Sequence, residues 1–178
     1  MQSISIDNKE FIPYISKDKI TLLVEHVAQK INNELCNEDV VFIGVLNGSF
    51  IFMADLIREI NFHVTISFIK LASYQADKSS GEVKQIIGLN IDLKGKTVVI
   101  VEDIIDTGIT LEYLLKQIEQ QQPAKIKVAS MFFKPKACKM PVHIDYLGTE
   151  IPNDFVIGYG LDYNGFGRNL PDLYRLKS

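Results

Sequence analysis

Residues 98–110, Val-Val-Ile-Val-Glu-Asp-Ile-Ile-Asp-Thr-Gly-Ile-Thr, place three carboxylates, two hydroxyls and a glycine within thirteen positions. An apolar β-branched run delivers Glu102 and Asp103 side by side, a pair suited to sugar hydroxyls or to the water shell of Mg²⁺. Asp106-Thr107-Gly108-Ile109-Thr110 then opens a helix. Backbone N–H groups at a helix start, a glycine that permits close approach and two hydroxyls together suit a phosphate monoester. The competing reading is that Thr107 or Thr110 caps the helix while the acids sit in a solvated turn.

Such a segment works only if a rigid frame presents it. Ile20, Leu23, Val24, Val27 and Ile31 recur at helical spacing and predict an amphipathic helix opening near Ser16. Val40 to Leu46 reads as a strand buried on both faces, broken by Asn47-Gly48-Ser49. Phe50 to Ile60 reads as a helix, and Phe62 to Ile69 as a strand. The polar stretch from Ala72 to Lys84 reads as a mobile surface loop. Strands follow at Ile86 to Ile91 and Thr97 to Val101, with a turn at Lys94-Gly95-Lys96 between them. Leu111, Leu114, Leu115 and Ile118 mark a helix that ends before Pro123. Further strands are expected at Lys125 to Phe133, His143 to Leu147 and Phe155 to Tyr159. The alternation predicts an α/β fold, a mostly parallel twisted sheet flanked by helices, with ligands bound beyond the carboxyl ends of the strands.

The chain has 178 residues, 47% of them hydrophobic, and is read as a single domain over 1–178. A net charge of −3 supplies no global field for nucleic acid or an anionic membrane, so neither partner is expected. Met1 to Glu10 lacks the apolar core of a signal peptide, and no apolar run approaches membrane-spanning length. A cytoplasmic protein is expected. Cys36 and Cys138 form no Cys-x-x-Cys pair and read as buried or idle thiols, and the three histidines have no short metal-ligand spacing.

The block from Val98 to Thr110 resembles the phosphoribosyl pyrophosphate signature of the type I phosphoribosyltransferases, and Glu-Asp-Ile-Ile-Asp-Thr-Gly resembles their hypoxanthine-guanine branch. Phe155-Val156-Ile157-Gly158-Tyr159-Gly160-Leu161-Asp162-Tyr163-Asn164 is a second match, and the resemblance runs from about Val41 to Asn169. It implies the type I phosphoribosyltransferase fold with a small hood subdomain, joining hypoxanthine or guanine to phosphoribosyl pyrophosphate with Mg²⁺ as cofactor. By the same resemblance Glu102 and Asp103 face the ribose hydroxyls and, with Asp162, hold the metal. Asp106 is the general base at purine N7, and Asp106, Thr107, Gly108, Ile109 and Thr110 wrap the 5′-phosphate.

Asn47, Gly48 and Arg168 correspond to the pyrophosphate site, the first two around a cis peptide. Ser73 and Tyr74, with Ser79 to Glu82, are similar to a closing lid. Lys134 meets the purine O6, Phe155 stacks on the base, Val156 meets its exocyclic edge, and Asp162 stands beside it. A homodimer or homotetramer is implied. This chain departs from the pattern at Asn47, where the family has a lysine, and at Gly165 and Gly167, which flank Arg168. Two other readings stand beside this one: a regulator on the same fold that binds RNA or DNA, and the same transfer to xanthine, uracil or adenine.

Overall fold

The computed structural model describes residues 2–73, 83–89 and 91–177. In chain order these form β1 (Ile4–Ile6), β2 (Lys9–Ile15), α1 (Lys17–Leu35), β3 (Val40–Leu46), α2 (Phe50–Glu59), β4 (Thr65–Ser73), β5 (Val83–Ile87), β6 (Thr97–Ile105), α3 (Ile109–Glu119), β7 (Lys125–Phe133), β8 (Tyr146–Glu150), β9 (Val156–Ile157) and β10 (Leu173–Leu176). A six-stranded sheet runs β5-β4-β3-β6-β7-β8. Its strands are parallel except β5, which pairs antiparallel with β4. No helix among the described residues is long and apolar enough to cross a membrane.

Strand alternation decides what covers each face. Val40 and Phe42 of β3 and Val99 and Val101 of β6 pack with α1 and α2, while Val41, Ile43, Val98 and Ile100 pack with α3. Both faces are therefore dry, which is why these strands read as unbroken apolar runs. α1 starts where Ser16 Oγ accepts from the Lys19 N–H at 3.3 Å. Its Ile20, Val24, Val27, Ile31 and Leu35 are all buried, each contributing roughly 1.5–3 kcal/mol.

A second, four-stranded antiparallel sheet, β1-β2-β10-β9, forms the hood. Phe11, Ile157 and Tyr174 make its small core. Three of its strands carry no strong alternation, and β2 contains Pro13, so the sequence pattern did not mark them.

Several boundaries differ from expectation. β4 begins later and ends later than Phe62 to Ile69, and β5 ends at Ile87 instead of Ile91. The stretch from Ala72 to Lys84 is strand at both ends, with Ala72 and Ser73 in β4 and Val83 and Lys84 in β5. Backbone pairing there overrides a polar composition that reads as loop. Its middle, including Tyr74 and Ser79 to Glu82, lies outside the described residues. β8 starts at Tyr146, not His143, because Asp145 side-chain oxygens take the Val128 N–H and the Lys127 amine where the ladder begins. Within Phe155 to Tyr159 only Val156 and Ile157 form a strand, in the hood sheet, and Gly158 makes an isolated bridge with Leu161.

Candidate active site

β6 runs four residues beyond Val101, so Glu102 and Asp103 are strand residues instead of loop residues. Alternation then sends them to opposite faces. Glu102 points with Val98 and Ile100 toward α3 and lines a cavity of about 100 Å³ with Asp106, Thr107, Gly108, Thr110 and Leu111. Asp103 points the other way, against the turn after β3. A Cβ built on Gly48 would fall 1.6 Å from Asp103 Oδ2, so only glycine fits there. Leu46–Asn47 is a cis peptide, and Ser49 Oγ donates to the Val45 carbonyl at 2.7 Å to close the turn into α2.

Both carboxyls are pushed above the usual range. Burial raises Glu102 well above its ordinary value, and the neighbouring Asp103 charge adds to it. Burial raises Asp103 from 3.8 to about 6, opposed by backbone N–H groups and by the positive charge of Arg168, and aided by Asp162.

The α3 start is capped by backbone alone. Gly108 sits at the N-cap with φ 80° and no side-chain cap bond. Thr107 Oγ1 lies 3.5 Å from the Ile109 N–H, at the outer limit of a hydrogen bond, so the Thr107 hydroxyl caps poorly and Thr110 lies inside the helix. Both threonines line the cavity. The segment after β7 packs beneath, where Lys139 N–H donates to the Thr107 carbonyl at 3.0 Å.

Lys134 leaves β7 beside this loop. Its N–H donates to the Ile105 carbonyl at 3.0 Å, and its Nζ lies 3.0 Å from Asp106 Oδ2. The lysine side chain is 8% exposed and the aspartate 47%. A buried ammonium needs such a partner. The two residues read from the sequence as acting on one ligand are thus adjacent.

The segment 158–168 closes the other side. Arg168 Nη1 donates to the Gly160 carbonyl at 2.7 Å, and Nη2 pairs with Asp162 Oδ1 at 2.5 Å. Asp162 Oδ2 accepts from the Gly165 N–H at 2.7 Å. Gly165 and Gly167 therefore belong to a loop held by three polar contacts, tighter than its glycines suggest. Phe155 lies in the hood, 45% exposed. The edge of Tyr163 meets its ring at 5.8 Å between centroids, and Phe11 lies at 6.3 Å. Val156 is buried beside it. Phe11 and Tyr163 were not singled out in the sequence; an aromatic in a strand without clear alternation gives no signal.

A parallel sheet with a strand-to-helix turn at its carboxyl edge, flanked by buried acids, defines an α/β enzyme of the kind that holds a phosphorylated ligand. The model of the phosphoribosyl transferase domain matches residues 15–164. A hypoxanthine-guanine phosphoribosyltransferase of Streptococcus agalactiae is 39% identical over 163 residues, 91% of this chain and 91% of that protein. One of Aquifex aeolicus is 34% identical over 97% of this chain and 98% of its own. Among solved structures, a hypoxanthine-guanine phosphoribosyltransferase from Bacillus anthracis with HEPES in the active site matches with TM-score 0.88 at 36% identity, covering 94% of this chain and 97% of that one. The chain belongs to the phosphoribosyltransferase family, in its hypoxanthine-guanine branch.

Proposed function

We propose that this enzyme salvages purines, transferring the 5-phosphoribosyl group of phosphoribosyl pyrophosphate to N9 of hypoxanthine or guanine and releasing pyrophosphate. The observation that carries the reading is the contact of Lys134 with Asp106, which lines the cavity with Thr107 and Thr110. A carboxylate and an ammonium side by side match the N7–H donor and the O6 acceptor on one edge of a 6-oxopurine. The names of the relatives agree with that choice of base.

In this reading the 5′-phosphate sits on the backbone of Asp106 to Thr110, with the Thr107 and Thr110 hydroxyls as donors. Glu102 and Asp103 receive the ribose hydroxyls. Pyrophosphate lies on the Asn47-Gly48 backbone at the start of α2. Arg168 also serves it, because a guanidinium has five N–H donors and Gly160 and Asp162 occupy two. Phe155 stacks on the base and the Val156 backbone meets its exocyclic edge beside Asp162. Ser73 and Tyr74 belong to the lid.

N9 attacks the anomeric carbon as the bond to pyrophosphate breaks, through an oxocarbenium-like transition state. The leaving pyrophosphate keeps the bonding electrons, and the N7 proton passes to Asp106. Among the described residues no three His, Cys, Asp or Glu side chains cluster closely enough to hold a metal unaided. Mg²⁺ takes one or two carboxylates and fills its shell with water and substrate phosphate oxygens. Glu102 and Asp103 point to opposite faces of β6, so one or two of Glu102, Asp103 and Asp162 would hold it at a time, and when bound it would neutralise charge on the departing pyrophosphate.

The exposed Phe50, Ile66 and Phe68 offer apolar surface for the homodimer or homotetramer that the family implies. Incubation with phosphoribosyl pyrophosphate, Mg²⁺ and each of hypoxanthine, guanine, xanthine and adenine tests the reading. Stoichiometric nucleotide and pyrophosphate are expected with the 6-oxopurines, abolished by EDTA and restored by excess Mg²⁺. Full turnover in metal-free buffer, or preference for adenine, would refute it.

A further inference from the structure

Gly158, Tyr159 and Gly160 all adopt the left-handed backbone region, at φ 101°, 48° and 98°. A bulky residue there is an outlier that its surroundings must hold in place. The flanking glycines show what holds it. A Cβ on Gly158 would lie 2.0 Å from the Asp172 carbonyl oxygen, and one on Gly160 would lie 2.1 Å from the Gly48 carbonyl oxygen. Backbone is thus pressed on backbone on either side of Tyr159, once ahead of β10 and once on the Gly48 turn.

Tyr159 itself is 4% exposed and packs in the main core with α1 and α2. Its hydroxyl donates to Asp55 Oδ2 at 2.8 Å. Asp55 lies on α2, the helix that begins two residues after Gly48. The segment therefore grips the turn at two points: Gly160 rests on the Gly48 carbonyl, and Tyr159 is bonded to the helix into which the turn leads. Arg168 braces the same segment through the Gly160 carbonyl, and on its other side Gly48 abuts the Asp103 carboxylate.

We infer that Tyr159 is a positioning residue for the pyrophosphate half of the site: its bond to Asp55, with Gly160 seated on Gly48, fixes the Gly48 turn against Asp103. This rests on the proposal that the turn receives pyrophosphate. Backbone donors bind an anion well only when they are already in place, and a turn released by a few tenths of an ångström loses that preorganisation. Lys134 and Asp106 of the purine half lie on β7 and on the loop after β6, and neither contacts Tyr159 or Asp55.

The test compares Tyr159→Phe, Asp55→Ala and Asp55→Asn with the unaltered protein. Steady-state kinetics with either substrate varied are read beside a calorimetric titration with Mg²⁺ and inorganic pyrophosphate. Tyr159→Phe is expected to raise the phosphoribosyl pyrophosphate KM and the pyrophosphate dissociation constant about fivefold to tenfold, the worth of one hydrogen bond. The purine KM should stay within about twofold, since the lost bond leads to α2 and not to Lys134 or Asp106. Asp55→Ala should copy this, and Asp55→Asn, which keeps an acceptor oxygen, should stay close to the unaltered protein. If Tyr159→Phe lowers the thermal midpoint but leaves both pyrophosphate readouts unchanged, Tyr159 is only a core residue. If both substrates weaken equally, the positioning role is likewise overturned. An unaltered protein that fails to use phosphoribosyl pyrophosphate would sink the proposed function instead, and the pyrophosphate titration would still decide the role of Tyr159.

Discussion

Asp103→Asn should stabilise the empty protein at neutral pH while disabling it. Burial lifts the Asp103 carboxyl from 3.8 to about 6, so the folded chain holds a proton that the unfolded chain has released. Stability then falls as pH rises through that interval and stays low above it. A gap of that size is worth roughly 3 kcal/mol, and allowing for the water that still reaches the carboxylate leaves roughly 2 kcal/mol. Asparagine keeps the acceptor that Asp103 Oδ1 offers to the Ile104 N–H at 2.9 Å and removes the charge. For a chain of this size the thermal midpoint at pH 7.5 should rise by about 4–8 °C. About half of the gain accrues between pH 5 and pH 7.5, because at pH 5 the folded carboxyl is already protonated while the unfolded one is mostly ionised. The assay is thermal or urea unfolding of both proteins at the two pH values without ligands, beside turnover at pH 7.5. The double difference isolates Asp103 from groups such as Glu34 and Glu38, whose ion pairs with Lys127 and Lys125 pull their carboxyls below the usual range. A gap between variant and parent that is the same at both pH values, or a variant less stable at pH 7.5, would refute the reasoning.

Asp106→Asn preserves shape but cannot accept a proton, so single-turnover rates should fall by ~10²- to 10⁴-fold while substrate dissociation constants hardly change. A near-normal rate would return Asp106 to shaping the loop. Lys134→Ala should lose hypoxanthine efficiency far more than phosphoribosyl pyrophosphate affinity and should relax the rejection of adenine, measured as the ratio of kcat/KM values. Thr110→Val should raise the phosphoribosyl pyrophosphate KM with a smaller effect on the chemical step, because it removes a phosphate donor and leaves the base in place.

What the sequence revealed, and what it hid, follows from how local each signal is. β3, β6, β7 and the three helices are marked by periods that burial on one or both faces writes into the residues themselves. The strand-to-helix turn was legible for a similar reason, since Asp106 to Thr110 are contiguous. The opposite orientation of Glu102 and Asp103 was not, because it depends on β6 continuing to Ile105, and that extension is set by pairing with Phe132 and Phe133 of β7. β1, β2 and β10 of the hood escaped because short strands sharing a three-residue buried core need little apolar patterning. Tyr159, Asp55 and Gly160 escaped for the plainest reason. Their partners are 104 residues away in one case, and in the other a carbonyl oxygen whose position no side-chain type announces.

The arrangement of charge bears on why an anionic substrate would enter a site with acidic walls. Glu102 and Asp103 are buried carboxylates that repel each other, and Asp162 faces the same region through Arg168. Lys134 offsets Asp106, and Arg168 is already engaged by Asp162. Arg168 only partly offsets Asp103, and among the described residues neither Glu102 nor Asp103 has an ion-pair partner of its own. Bringing phosphate oxygens beside them raises the repulsion steeply where water is excluded. A divalent cation arriving with the phosphates turns that repulsion into attraction on both sides at once. The raised carboxyls are groups whose ionised form the empty fold disfavours, and on the proposed function the loaded site would require it. A metal would then serve substrate binding as much as the departure of pyrophosphate.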